Sequence, residues 1–430
     1  MAEEVLVIGG GAAGIQAALD LADTGLKVHV VEKKPSIGGR MAQLDKTFPT
    51  NDCALCILAP KMAECSRHPN ITLHTYSEVQ EVTGSLGNFS VRVLKRPRFV
   101  NEDACTGCGD CFRKCPAKVP DEFDMSLRMR EAIHMYFLQA VPAVATIDPE
   151  RCLYLTKGRC GICAKICQAG AVNYDQQSQE ITLDVGAIVV AVGFDPFDPA
   201  VLKQYGYGKY RNVITSMEYE RLISASGPTG GHLLRLSDRE PVKRLGFLQC
   251  VGSRSLQHHR FCSSVCCMYA SKEAILANEH DPEVRSTIYY TDLRAAGKGF
   301  QEYTSRAERD YNVTYVRSRV AEIVQDEDEN PVICFEDLVA GKPGRDTVDL
   351  AVLAVSLAPR RGAQELASVL GVELDDDNFI KTEPFSPLDT TRPGVFACGY
   401  CRGPADIPES VAQASGAAAR AAEVIMGAAV

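Results

Sequence analysis

The chain has 430 residues, 46 basic against 55 acidic side chains for a formal charge of −9, and is 46% hydrophobic and 23% charged, the profile of a globular protein of about two to three domains. The acidic balance excludes a broad nucleic-acid surface, and no apolar run approaches the ~18 residues of a membrane helix. Eighteen cysteines beside no tryptophan are too dilute for a small disulfide scaffold, and Met1-Ala2-Glu3-Glu4-Val5 lacks the basic stretch of a signal peptide, so a cytoplasmic, metal-binding use of the thiols is expected.

In chain order, the first element is a buried-strand pattern, Val5-Leu6-Val7-Ile8, followed at once by Gly9-Gly10-Gly11-Ala12-Ala13-Gly14. Helical periodicity runs through Ala17, Ala18, Leu19 and Leu21, and a second strand, Val28-His29-Val30-Val31, ends on Glu32. This is a complete βαβ dinucleotide fingerprint. Gly9 makes the tight turn, Gly11 admits a pyrophosphate, and Gly14 lets helix pack on strand, with the helix N-terminus toward the phosphates. Glu32 can accept from both adenosine ribose hydroxyls, and an acid there disfavours a 2′-phosphate. Gly9, Gly11, Ala12, Ala13, Gly14, Glu32 and Lys33 are the candidate cofactor contacts. The next element, Pro35-Ser36-Ile37-Gly38-Gly39-Arg40, resembles the two-dinucleotide-binding-domain flavoproteins of the thioredoxin reductase class. That resemblance implies FAD and adds Gly38, Gly39 and Arg40 to its contacts.

The second signal is a spacing. Cys105-x2-Cys108-x2-Cys111-x3-Cys115-Pro116 is a bacterial ferredoxin run, followed by Cys152 and then Cys160-x2-Cys163-x3-Cys167. Four thiolates so spaced can wrap a cubane, and the fourth Cys of each run ligates the other cluster. One 4Fe-4S cluster would take Cys105, Cys108, Cys111 and Cys167, the other Cys152, Cys160, Cys163 and Cys115. Zinc competes for any Cys-x2-Cys pair, but two tandem runs favour iron-sulfur. The residues between Cys152 and Cys160 are expected to loop out. Met125 to Leu138 reads as a helix, and Pro97 to about Asp175 as an inserted α+β two-cluster ferredoxin domain. Ile181-Thr182-Leu183 and Ile188 to Val192 then resume the flavoprotein sheet.

Further on, Val242 to Gln249 reads as a strand, Ala270 to Ala277 as a helix and Thr287 to Thr291 as a strand. A second nucleotide-binding turn would be Gly-rich; here stand Cys250-Val251-Gly252-Ser253-Arg254 and, nearer the helix, Cys262, Cys266 and Cys267. No pyrophosphate pattern survives, so electrons are expected to pass through protein partners rather than a nicotinamide. At the C-terminus, Arg392-Pro393-Gly394-Val395-Phe396-Ala397-Cys398-Gly399 and a small-residue helix from Val411 to Ala422 resemble the flavin-closing piece of the same reductase class. Tyr400 replaces the usual Asp after Gly399, leaving Asp406 as the nearest acid, with Ile407 beside it.

The third cysteine motif, Phe261-Cys262-Ser263-Ser264-Val265-Cys266-Cys267-Met268-Tyr269-Ala270 with Cys250, and the string from Gln43 through Asn51-Asp52-Cys53-Ala54-Leu55-Cys56, resemble the A subunits of heterodisulfide reductases. The resemblance spans nearly the whole chain, without the longer methanogen form's N-terminal extension and C-terminal ferredoxin domain. It implies an atypical third 4Fe-4S cluster on Cys250, Cys262, Cys266 and Cys267. It also implies a flavin that splits electron pairs between a high-potential acceptor and ferredoxin. The implied partners are heterodisulfide reductase-like B and C subunits, a hydrogenase, formate dehydrogenase or NADH-oxidising donor module, and ferredoxin, within a larger oligomeric complex.

The expected fold is thus α/β: a thioredoxin reductase-like flavoprotein with an inserted ferredoxin domain. Its divisions are 1–96 (FAD-binding), 97–175 (ferredoxin), 176–240 (return to the FAD domain and linker), 241–325 (second Rossmann-like, bearing the third cluster) and 326–430 (FAD-binding, C-terminal). No acid/base dyad is required, because flavin and clusters carry the chemistry. Lys46, Cys53 and Cys56 are candidates beside the flavin, Lys46 and Arg40 through charge, the cysteines as a flavin-reduced disulfide or a further metal site. Small core residues are the plainer use of Cys53, Cys56, Cys398 and Cys401, and likewise of Cys334; His258 and His259 read as an exposed loop. The alternatives are the flavoprotein of a quinone-interacting membrane oxidoreductase, with no membrane span of its own, and a stand-alone pyridine nucleotide-disulfide reductase.

Overall fold

The computed structural model describes residues 2–427, which fall into two compact units. The first gathers the chain up to Ala42, Cys56–Phe194 and the chain from Pro359 on. The second comprises Gln43–Leu55 and Asp195–Ala358.

The first unit is built on a seven-stranded sheet. Glu4–Ile8 lies between Ala187–Val190 and Lys27–Glu32 and is parallel to both. Val5, Leu6, Val7 and Ala187 to Val190 are fully buried, as the β-branched runs of a sheet covered on both faces should be. Helix Ala12–Asp23 packs against helix Ile407–Gly427. Both present alanines, Ala17 and Ala18 from one and Ala414, Ala417 and Ala421 from the other, all essentially fully buried; their small side chains let the helices approach closely.

A three-stranded antiparallel sheet, Ser77–Ser85, Asn88–Lys95 and Gln179–Val185, carries the insert. Lys95 stands opposite Gln179 in the ladder, so the residues between them leave and return at neighbouring positions, as a hairpin loop would. The insert has short helices Asp110–Arg113, Leu153–Lys157 and Ile162–Ile166 and its own apolar cluster, including Val100, Ile133, Val144 and Ile147. Two expectations fail here. Met125–Leu138 is not helical: Met125 and Ser126 have φ of 53° and 65°, and Asp121 accepts from the Phe123 amide. Such short-range Asp bonding competes with helix, and Met129–Glu131 and Ile133–His134 instead pair as strands. Nor does the spacer before Cys160 loop out; it forms the helix Leu153–Lys157, ended by left-handed Gly158.

The second unit has its own seven-stranded sheet. Five strands are parallel: Val213–Thr215, Leu350–Val355, Arg244–Val251, Arg285–Tyr290 and Val313–Gln325. Pro331–Asp337 and Lys342–Thr347 extend it antiparallel. The second unit therefore runs past the expected boundary at 325, because these strands complete its sheet, and it also takes in Gln43–Leu55.

Candidate functional site

The glycines of the first unit are where the backbone demands them. A Cβ on Gly14 would stand 1.8 Å from the Gly9 carbonyl oxygen, and one on Gly9 2.4 Å from that of Ala191. Gly38, with φ of +119°, donates its amide to the Gly10 carbonyl at 2.7 Å, and a Cβ on Gly39 would come within 2.8 Å of Gly11 Cα. Two glycine backbones thus lie face to face. Gly11 caps the helix with no side-chain bond to its first amides, which leaves donors suited to a pyrophosphate. A Cβ on Gly11 itself would meet nothing nearer than 3.9 Å. Space and donors both fit a dinucleotide.

Glu32 is buried, its Oε2 accepting from the Gly10 amide at 2.7 Å and its Oε1 from the Lys34 amide at 2.8 Å. Each oxygen keeps a further lone pair for a ribose hydroxyl. Lys33 pairs with Glu78 at 3.4 Å. From the C-terminal side, a Cβ on Gly399 would lie 3.3 Å from that of Ala13, and the Gly399 amide is held by Gln413 Oε1 at 2.9 Å. The C-terminal segment therefore does reach the first helix. Asp406 begins the last helix as a reciprocal cap with Glu409: its carboxylate accepts from the Glu409 amide at 2.8 Å, and its own amide donates to the Glu409 carboxylate. Ile407 opens the helix. Gln413 was not foreseen; an amide in a small-residue helix gives no motif.

The insert is fastened to this region. Ser36 Oγ accepts from the Val141 amide at 2.8 Å, and the Ile37 amide donates to the Val141 carbonyl at 3.0 Å. Arg98, fully buried, donates to Glu102 at 2.7 Å and Thr146 at 2.9 Å, and to Pro35 O at 2.7 Å and Thr75 at 2.5 Å.

Within the insert the cysteines divide as the spacing suggests. Cys105, Cys108, Cys111 and Cys167 line a cavity of about 320 Å³. Cys115, Cys152, Cys160 and Cys163 line a second, narrower one with Tyr154 and Tyr174. Burial, with the Cys105 and Cys163 thiols next, pushes Cys111 up to about 12. Thiols bind a metal ion only as thiolates, each releasing its proton to solvent. Among the described residues no three His, Cys, Asp or Glu side chains converge on a single ion; the quartets frame spaces instead.

In the second unit, strand Arg244–Val251, helix Cys266–His280 and strand Arg285–Tyr290 form the expected βαβ. Cys250 sits at the strand's end with φ of 60°, and Cys266 and Cys267 open the helix. Burial, then Cys267 and Cys250, raises Cys266, and burial pushes Cys267 up to about 11, with Cys250 and Cys262 adding to it. Cys250 therefore stands within electrostatic reach of each of Cys262, Cys266 and Cys267. Arg254, paired with Asp292 at 2.6 Å, faces Cys250 and partly offsets its burial. His259 is not simply exposed: its Nδ1 bonds Ser356 Oγ at 2.9 Å and its ring stacks on Phe261.

The second unit also buries a charged cluster that sequence reasoning missed. Lys272, Glu220, Glu273 and Arg221 are each about 1% exposed. Lys272 pairs with Glu220 and donates to Lys46 O at 3.1 Å. Glu220 accepts from the Asp45 amide at 2.9 Å, and Arg221 donates to Gln43 O at 3.0 Å. Burial, then Glu220, raises Glu273 well above the usual carboxylate range. The available signal was adjacent charges, Glu220-Arg221 and Lys272-Glu273, in helices otherwise rich in core residues. Lys46 itself is engaged by Glu279 at 2.9 Å.

Of the remaining cysteines, Cys53 and Cys56 are joined in a disulfide. Cys65, Cys398 and Cys401 are buried and Cys334 half-buried. Cys401 Sγ bonds the Val190 carbonyl at 3.3 Å, as a packed core thiol would.

Fold and site together define a two-dinucleotide-binding-domain flavoprotein of the thioredoxin reductase type. Thioredoxin reductases of T. acidophilum and Lactococcus lactis superpose with TM-scores of 0.53 and 0.54, at 15% and 16% identity, over 99% of both chains in each case. Residues 4–54 match the family described as FAD dependent oxidoreductase. The chain is 49% identical, over 98% of its length, to the A subunit of the H(2):CoB-CoM heterodisulfide,ferredoxin reductase of Methanothermobacter marburgensis. It is 52% identical, again over 98%, to an iron-sulfur A subunit of the CoB--CoM heterodisulfide reductase of Methanopyrus kandleri. The chain is thus similar to heterodisulfide reductase A subunits along nearly its whole length, and it spans 63% and 64% of the length of these two relatives. Among the described residues no helix is long and apolar enough to cross a membrane.

Proposed function

We propose that this chain is the FAD and iron-sulfur oxidoreductase subunit of a heterodisulfide reductase-like complex. It passes electrons from a donor module to a disulfide-reducing subunit and to ferredoxin, with the flavin splitting each pair between them. The observation that carries this reading is the pairing of a dinucleotide cradle with cysteine quartets at three places, one of them the turn where a second nucleotide would bind. FAD exchanges two electrons and a cluster one, so their combination converts two-electron into one-electron transfer. Gly9, Gly11, Gly14, Gly38 and Gly39 would hold the FAD pyrophosphate and Glu32 its ribose. The twelve cysteines of the quartets would hold three 4Fe-4S clusters. The relatives' names support the assignment: one is an H2- and ferredoxin-linked heterodisulfide reductase subunit, another a ferredoxin/F(420)H(2)-dependent one.

The Cys53–Cys56 disulfide supports a second reading, a flavin-reduced disulfide reductase, against which the Gly-poor turn at Cys250 weighs. Anaerobic purification with metal and flavin assay separates the two. The proposed function requires about twelve irons and one FAD per chain; about eight irons removes the third quartet. Rapid reduction of the isolated chain by NADPH selects the second reading. Co-purified subunits, disulfide-reducing or cytochrome-bearing, identify the complex.

A further inference from the structure

The insert's two cysteine cavities differ in what faces their sulfurs. In the first, Cys167 Sγ accepts from the backbone amide of Ala171 at 3.3 Å. In the second, Cys163 Sγ lies 2.9 Å from the hydroxyl of Tyr174. Tyr174 is itself covered by Tyr154, whose ring stacks on it with centroids 3.9 Å apart and planes 24° from parallel. Tyr154 comes from the helix that fills the long spacer between Cys152 and Cys160. It also lies over Gly161, where a Cβ would meet its ring at 3.6 Å. Both tyrosines line the cavity with Cys115, Cys152, Cys160 and Cys163. The spacer therefore has a product: a ring stacked on the phenol that faces one of these sulfurs.

A thiol and a phenol can each donate, but a thiolate bound to iron has no proton, so the O–H of Tyr174 must then be the donor. Reduction adds one negative charge, spread over cluster and sulfurs, and a donor to sulfur stabilises the reduced form more than the oxidised one. We propose that Tyr174 is a potential-setting residue, raising the reduction potential of the cluster framed by Cys115, Cys152, Cys160 and Cys163. One-electron transfer from the other insert cluster, which is oxidised as this one is reduced, is thereby biased toward it. The inference rests on the reading of the insert as a two-cluster ferredoxin.

The test is Tyr174→Phe in the full chain, purified without oxygen, with potentials read by electron paramagnetic resonance during redox titration. Phenylalanine keeps the stack on Tyr154 and removes only the hydroxyl. The expected result is that one insert signal moves to more negative potential. At a fixed potential its reduced-to-oxidised ratio falls about tenfold, equivalent to 59 mV for one electron, and the other signal stays in place. A Cys108→Ser variant, lacking the first cluster, identifies the moving signal. Incorporating 3-fluorotyrosine at 174, a stronger donor, is expected to shift the same signal the opposite way, which a merely structural ring would not do. Full iron content with an unmoved signal, or an equal shift in both, overturns the role of Tyr174. A wild-type chain with fewer than about eight irons overturns the ferredoxin reading beneath it.

Discussion

Replacing Arg98 with Ala tests whether the insert is rigidly docked on the cofactor cradle. Its guanidinium is fully buried and joins two insert groups, Glu102 and Thr146, to two groups beside the Gly38-Gly39 element, Pro35 O and Thr75. Bonds to a charged donor contribute about 1.5–3 kcal/mol each, but their removal is not additive. Glu102 keeps Lys95 at 2.9 Å, and the threonine hydroxyls can turn to other partners. The net loss is that of breaking one buried charge set, about 3–5 kcal/mol, or about two to three and a half decades in an equilibrium constant. It should fall on the docking contact, whose reporters are the Ile37 and Val141 amides bonded across it. Hydrogen exchange is then expected to accelerate at these two amides by at least two decades in Arg98→Ala, and by less in Arg98→Lys, which keeps the charge but not the planar fork. Protection within tenfold of the wild type at both amides would refute the reasoning.

Gly11→Ala should separate cofactor binding from folding: its Cβ meets no protein atom within 3.9 Å yet enters the space assigned to the pyrophosphate. Flavin absorbance should drop more than tenfold while circular dichroism and iron content stay unchanged. His74 bonds His29 at 3.0 Å and is pushed down to about 4 by burial, with His29 and Lys95 next. The unfolded chain therefore takes up a proton first, and stability is complete above pH 6.5 and lost as pH falls toward 4, by about 3 kcal/mol in all. Urea titrations at pH 7 and pH 5 check the loss, which His74→Gln should reduce. Lys272→Ala should cost about 3–5 kcal/mol by leaving Glu220 and Glu273 facing each other, and the paired Lys272→Met, Glu220→Leu chain should recover most of it. A single variant as stable as the pair in chemical unfolding would count against that account.

What was legible in the sequence is what the backbone or the ligand chemistry forces. Gly14 cannot be otherwise when a Cβ would lie 1.8 Å from a carbonyl oxygen, and the cysteine spacings already divide the quartets as the cavities do. What was not legible depends on long-range partners. Met125–Leu138 has helical periodicity, yet Asp121 and the pairing of Ile133–His134 with Thr146–Ile147 impose strands. Lys272 and Glu220 are 52 positions apart; each, in its own helix, reads as a solvated charge until the fold buries both. The extent of the second unit is set by strands that pair well beyond the expected boundary.

The insert's place in the chain has a physical rationale that its motifs do not supply. Its ends meet across one ladder position, Lys95 opposite Gln179, so a domain of this size enters at the closure cost of a hairpin rather than a severed strand. A hinge at one point would still let it swing. Arg98, three residues beyond the first end, and Ser36 with Ile37, bonded to Val141, add further attachments. The proposed clusters and the glycine cradle are thus held in one compact unit. An appended domain on a flexible linker would sample its position relative to a flavin; this one is fixed at three places, so the geometry for the proposed one-electron transfer within the unit is set by folding.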